Sequence, residues 1–188
     1  MPAVTHPGWL RTLLSPLAFL YAQFMRTRAV LYARGTLRAR RLPAKVISVG
    51  NLTVGGTGKT PLVLWLAQRL QARGLKVAVL SRGYGRLTQE ARIFADGSPR
   101  VEEAGDEAVL LARRLVGVLL GIGGDRFAVG LHLAEKHHPD VFLLDDGFQH
   151  LRVARDLDIV VLDASDPFGG GYVLPAGRLR EPVRALAR

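Results

Sequence analysis

Val46-Ile47-Ser48-Val49-Gly50-Asn51-Leu52-Thr53-Val54-Gly55-Gly56-Thr57-Gly58-Lys59-Thr60-Pro61 passes from a β-branched run through a glycine-rich turn into a segment where Leu62, Leu66 and Leu70 recur at helical spacing. Strand, tight turn and helix in that order form a phosphate cradle. Glycines let the backbone wrap closely, and the N–H groups at the helix start face inward onto an anion. In this reading Thr53, Val54, Gly55, Gly56, Thr57, Gly58, Lys59 and Thr60 hold a nucleoside triphosphate. Lys59 reaches the terminal phosphates as a point charge and the Thr60 hydroxyl ligates Mg²⁺. The loop departs from the strict G-x-x-x-x-G-K-[ST] pattern at Thr53, where glycine is expected. Val54 stands where one branch of P-loop ATPases carries a signature lysine.

The same alternation continues outward from the loop. Candidate strands are Val46 to Val49, Val77 to Ser81, Val118 to Ile122, Val141 to Asp145 and Ile159 to Asp163, with a short addition at Arg92 to Ala95. Helical patterns lie between them at Lys59 to Arg73, Gly105 to Leu115 and Asp125 to His137. Short apolar strands alternating with helices predict an α/β fold, a P-loop NTPase-type parallel sheet flanked by helices. This domain spans residues 43–188. The stretch from Ser165 to Arg188 is rich in Gly, Pro and Arg and shows no clear closing element.

Residues 1–42 differ in kind. Trp9, Leu10, Leu13, Leu14, Leu17, Leu20, Tyr21, Phe24, Ala29 and Leu31 follow a roughly helical period over residues 8–35, with Pro16 marking a kink or a helix start. The uncharged run from Leu13 to Met25 is about 13 residues, short of the roughly 20 needed to span a bilayer. A secretory signal is not expected, because Arg11 is a thin basic region, no small-x-small cleavage pattern follows, and a strongly basic stretch comes next. Two readings of this amphipathic appendage stay open: a helix packed on the domain, or an interfacial helix with its apolar face in the acyl boundary and its arginines on headgroups.

Composition supports an anionic partner without choosing one. The 188 residues carry 26 Lys plus Arg against 16 Asp plus Glu, a formal net charge of +10, and no acidic residue precedes Glu90. Nucleic acid, anionic lipid and phosphorylated substrates would all satisfy that charge. No interleaving of aromatic and basic residues marks a nucleic-acid surface, so none is expected as a partner. Cysteine is absent, which removes disulfide frameworks and thiolate zinc sites.

Beside a P-loop, the apolar run Val141-Phe142-Leu143-Leu144 ending in Asp145-Asp146 reads as the acidic strand end that holds the metal's water shell. Transfer of phosphate to an alcohol also needs a proton acceptor, and Asp106, opening a helix, is the best candidate; ordinary helix capping would also place an Asp there. Arg82 and Arg126 are phosphate clamps or surface arginines. Gln149 and His150 fall in a further strand-end loop, and His137 and His138 read as a solvated helix end.

Together, Gly50-Asn51-Leu52-Thr53-Val54-Gly55-Gly56-Thr57-Gly58-Lys59-Thr60-Pro61, Ser81-Arg82-Gly83-Tyr84-Gly85, Gly105-Asp106-Glu107, Asp145-Asp146-Gly147-Phe148-Gln149-His150 and Leu174-Pro175-Ala176-Gly177-Arg178-Leu179-Arg180-Glu181-Pro182 make this chain resemble the tetraacyldisaccharide 4′-kinases of lipid A synthesis. The resemblance implies transfer of the γ-phosphate of ATP to the 4′-hydroxyl of a tetraacyldisaccharide 1-phosphate. It implies peripheral attachment to the cytoplasmic face of the bacterial inner membrane through the N-terminal helix. Carried over by motif, Lys59 and Thr60 belong to the nucleotide site, Asp145 and Asp146 to the metal site, and Asp106 to proton acceptance. Family members continue into a second, smaller domain that supplies a histidine, a role not expected of His150. The competing expectation is a switch-type P-loop ATPase or GTPase acting on a protein partner.

Overall fold

The computed structural model describes residues 7–83, 92–94 and 106–188, the side chains of residues 106 and 107 excepted. The elements in chain order are α1 (Gly8–Ala33), β1 (Lys45–Gly50), α2 (Lys59–Gln71), β2 (Val77–Ser81), β3 (Arg92–Phe94), α3 (Asp106–Arg114), β4 (Leu119–Ile122), α4 (Arg126–His137), β5 (Val141–Asp145) and β6 (Leu157–Val160). Two short 3₁₀ turns follow, Gly169–Gly171 and Val183–Ala187. Tyr84, Gly85, Ala95 and Gly105 of the sequence motifs lie outside the described residues.

Six strands form one sheet in the order β3-β4-β2-β5-β1-β6. The pairs β1–β5, β2–β5 and β2–β4 are parallel. Two details depart from the expected pattern. The edge strand β3 runs antiparallel to β4, with Ile93 opposite Gly121. An edge strand is hydrogen-bonded on one side only, so no crossover helix dictates its direction. The last strand lies at Leu157–Val160 instead of Ile159 to Asp163. Asp163 instead accepts hydrogen bonds from the Ser165 amide (2.9 Å) and hydroxyl (2.6 Å), a local turn that competes with strand extension.

The chain divides into two compact units. The larger, Ala39–Gly50 with Gly58–Ile159, holds nearly all of the sheet and α2 to α4. Its strands β2 and β5 are buried along their whole length, as uninterrupted apolar runs in a two-sided parallel sheet should be. Helix α4 lays Val129, Leu133 and Ala134 into a core with Leu80, Phe142, Leu144 and Val46. This approach is close enough to require glycine on the sheet: a Cβ on Gly121 would sit 2.6 Å from Val129 Cγ1. Helix α2 buries Val63 and Ala67, one turn apart.

The smaller unit comprises Met1–Arg38, Asn51–Thr57 and Val160–Arg188. Helix α1 runs unbroken through Pro16, which sits in its third turn and neither starts nor ends it. Its inner side carries Ala18 and Met25, and Tyr21 donates its hydroxyl to the Arg180 carbonyl oxygen at 3.0 Å. Burial, with Glu181 nearby, raises the Tyr21 pKa, which keeps that hydroxyl protonated as a donor. The buried Glu181 carboxylate is itself gripped by the two Arg188 Nη nitrogens, at 2.5 and 3.1 Å.

Candidate functional site

In the larger unit, strand register brings the acidic pair to the carboxyl edge of the sheet, where open α/β sheets bind ligands. Val49 pairs with Asp145 across β1 and β5, and the Gly147 amide donates to Val49 O at 2.9 Å. The two strands leave the sheet so closely that a Cβ on Gly50 would lie 2.5 Å from Phe148 N. Asp145 is buried, 1% exposed. Asp146 turns back in the left-handed region at φ 50°, a conformation that aspartate tolerates better than most residues. Its carboxylate Oδ1 then lies 3.6 Å from Lys59 Nζ, with the lysine side chain only 12% exposed.

Lys59 and Thr60 are the first two residues of α2, and Gly58 precedes them as a left-handed N-cap at φ 82°. Because Gly58 has no side chain, the N-cap residue itself offers no carboxylate or hydroxyl to the first-turn N–H groups or to the positive end of the helix dipole. That is the local structure the glycine-rich sequence called for.

Arg126 is where the sequence left two options, and burial removes one of them. The side chain is 4% exposed, so it is no surface arginine. It donates from Nη1 to Asp146 O at 3.0 Å. Burial pulls its pKa down, while the nearby Asp146 and Asp145 charges oppose that shift and Arg82 adds to it. Two acids and two arginines therefore share one electrostatic neighbourhood at the strand ends. Arg82 is itself exposed. Gln149 and His150 are half-buried just beyond.

Asp106 is the first residue of α3, as expected for a helix-opening acid. Its side chain lies outside what the structure describes. At the end of α4, His138 is the exposed left-handed cap, and no group of three or more His, Cys, Asp or Glu side chains gathers for a metal among the described residues. Two carboxylates and a hydroxyl still suit Mg²⁺, which commonly takes one or two carboxylates and completes its shell with water and phosphate oxygens.

The smaller unit carries the front half of the loop. Gly55 adopts φ 117°, a conformation open to glycine. Thr53 is buried and pairs antiparallel with Leu179, and Val54 N donates to Arg178 O at 2.8 Å. Asn51 Nδ2 donates to Thr53 O at 2.7 Å. Sequence reading missed this support, because Leu174 to Pro182 has no periodicity that announces a partner. The alternation of Leu179 between two arginines was the one available sign.

A parallel sheet with a glycine-rich phosphate loop between its first strand and the following helix defines a P-loop NTPase-type α/β protein. The family profile described as tetraacyldisaccharide-1-P 4'-kinase matches residues 10–188, and the chain belongs to that family. It is 52% identical over 183 residues to the tetraacyldisaccharide 4'-kinase of Pelobacter propionicus, covering 95% of this chain and 51% of that protein. With the Geobacter sulfurreducens enzyme of the same name it is 55% identical over 175 residues, covering 91% and 50%. The crystal structure of the "apo" form of LpxK from Aquifex aeolicus in complex with ATP superposes with a TM-score of 0.87 at 43% identity, covering 95% of this chain and 56% of that one. The chain thus spans about half the length of the relatives it matches.

Proposed function

We propose that this chain is the nucleotide-binding part of an ATP-dependent kinase that phosphorylates the 4′-hydroxyl of a tetraacyldisaccharide 1-phosphate. The observation that carries the reading is the grouping of Lys59, Arg126 and the Asp145-Asp146 pair at the carboxyl edge of the sheet, next to the start of α2. The family membership and the ATP held by the similar crystal structure support it.

In this reading residues 53 to 60 wrap the triphosphate with backbone N–H groups, and Lys59 exchanges part of its pairing with Asp146 for the terminal phosphates. Thr60, Asp145 and Asp146 would hold Mg²⁺, which supplies charge neutralisation on the transferring phosphate when bound. Asp106 accepts the acceptor's hydroxyl proton, and Arg126, fixed by burial, keeps positive charge beside the two acids. Catalysis on this scheme is positioning and electrostatics, as phosphoryl transfer requires.

Attachment to the membrane is peripheral in this proposal, through the N-terminal segment of residues 1–42, with 43–188 as the kinase part. No helix among the described residues is long and apolar enough to cross a membrane. On α1, Trp9, Leu13, Leu17, Leu20 and Phe24 are all exposed. At 100° per residue these five fall within an arc of about 80°, an outward apolar stripe next to a basic sequence. The cytoplasmic face of the bacterial inner membrane is the corresponding location.

The test uses γ-labelled ATP with an acylated disaccharide 1-phosphate in mixed micelles. Label on the sugar 4′-oxygen is the expected result. Release of labelled inorganic phosphate with none on the acceptor would refute the kinase reading.

A further inference from the structure

Within the smaller unit, one residue takes both backbone hydrogen-bonding groups of Val54. The Arg178 carbonyl accepts from Val54 N at 2.8 Å, and Arg178 Nη2 donates back to Val54 O at 2.9 Å. The same guanidinium covers the next residue: a Cβ on Gly55 would lie 2.7 Å from Nη2. Neighbouring backbone pairs flank this contact, with Arg180 N donating to Leu52 O at 2.7 Å and Thr53 bridged to Leu179. Asp166 Oδ2 lies 3.8 Å from Nη1, within ion-pair reach of the same guanidinium. Gly169 lets the Arg178 stem approach, since a Cβ there would meet Arg178 Cβ at 2.8 Å and Thr53 Cγ2 at 3.2 Å.

A loop of glycines is costly to order, because glycine loses more backbone freedom than any other residue. A planar fork can serve a carbonyl and a carboxylate together, which a lysine ammonium does less well. We propose that Arg178 is a positioning residue for the phosphate loop: it sets the backbone of Val54 and Gly55 in place before nucleotide arrives, and so strengthens triphosphate binding without touching the reacting atoms. The proposal rests on the reading of residues 53 to 60 as the triphosphate site.

Arg178→Met keeps the length of the stem and removes the donors. Loss of a charge-assisted hydrogen bond predicts an ATP KM raised by about tenfold, with kcat and the KM of the lipid acceptor within about twofold of the parent. Arg178→Lys, which restores one charged donor, should recover ATP KM to within about threefold. In the protein without nucleotide, amide exchange at Val54 to Gly56 should quicken about tenfold in Arg178→Met, while the amides of Val46 to Val49 keep their protection. Unchanged exchange at Val54 to Gly56 would overturn the proposal even if the parent transfers phosphate normally. Exchange that rises equally in β1 would overturn it too, by making Arg178 a general structural support. If exchange quickens locally but the parent transfers no phosphate, the loop tether stands and the kinase reading falls.

Discussion

Lys59 Nζ lies 3.6 Å from Asp146 Oδ1, and the two side chains come from opposite sources: the start of α2 and the turn after β5. The lysine is mostly buried and the aspartate a third exposed, so the pair is screened only in part. On the proposed function, this lysine has an anion to release when a more highly charged one arrives. The acid in turn is freed to accept a cation.

Replacing Lys59 with alanine is therefore expected to remove nucleotide-dependent turnover by a factor of about 10² to 10³, the scale of a lost electrostatic stabiliser. Initial-rate assays with saturating acceptor check this. Because Asp146 keeps partial exposure to water, the folded state should survive, and a thermal melt of the variant should stay close to the parent. A variant with parental rate would remove Lys59 from the phosphate site.

Arg126 should behave in the opposite way, with stability affected first. Its guanidinium is buried against Asp146 O and is surrounded by the charges of Asp145 and Asp146. Removing one member of a buried charged group leaves the others uncompensated, at a cost of about 3 kcal/mol. Urea titration of Arg126→Ala should show its midpoint falling with an unchanged slope. Arg126→Met, which refills the volume without charge, should lose a comparable amount if uncompensated acid is the cause, and much less if packing is.

The contrast between these two residues shows what a sequence carries. The placement of Lys59 at the start of α2 was legible because it follows from neighbours in the chain: glycines before it, a helical period after it. Strands β2 and β5 were legible to the residue because both faces of a central parallel strand are buried and the apolar run stops where the sheet does. Arg126 was not, since nothing in Gly124-Asp125-Arg126-Phe127 tells whether the side chain turns inward; that depends on Asp146, twenty positions later. Arg178 was further still from view, as its partner Val54 lies 124 positions away and the link is made to backbone atoms, which leave no trace in residue type. The antiparallel direction of β3 and the early end of β6 were hidden for a related reason, because edge strands obey local turns more than periodicity.

Asp125 makes the stability of the fold depend on pH. Its carboxylate accepts from the Phe127 and Ala128 amides at 3.1 and 3.2 Å, capping α4, and pairs with Arg40 at 3.1 Å. Partial burial works to raise its pKa, but the amide hydrogen bonds from Ala128 and Phe127 and the Arg40 charge together hold it below the ordinary value of 3.8. A depressed folded pKa means the unfolded chain takes up the proton first. The stabilisation is thus fully present above pH 3.8 and is lost as the pH falls through the lower folded value. Asp125→Asn, which still caps, should be nearly neutral at pH 7, whereas Asp125→Ala should cost about 1 kcal/mol. The difference between parent and Asp125→Ala in urea midpoint should shrink on acidification below that range. A difference that grew instead would mean the carboxylate is unfavourable when charged.

The stripe on α1 yields the most direct test of membrane contact. Leu13 and Phe24 are 67% and 65% exposed, so charging them removes no core packing and should leave the urea midpoint unchanged. If the stripe enters the acyl boundary, a Leu13→Glu and Phe24→Glu double variant loses two apolar insertions and gains two carboxylates facing anionic headgroups. Partition onto phosphatidylglycerol vesicles should then drop by at least about tenfold in sedimentation assays. A control separates the two attractions. Replacing Arg26 and Arg28 with glutamine should weaken partition mainly at low salt, because headgroup attraction is screened within about 8 Å at physiological ionic strength. The charged double variant should weaken it at every salt concentration, because the apolar term does not depend on screening. Equal partition of parent and double variant at low and high salt would mean that the exposed stripe is not what meets the bilayer.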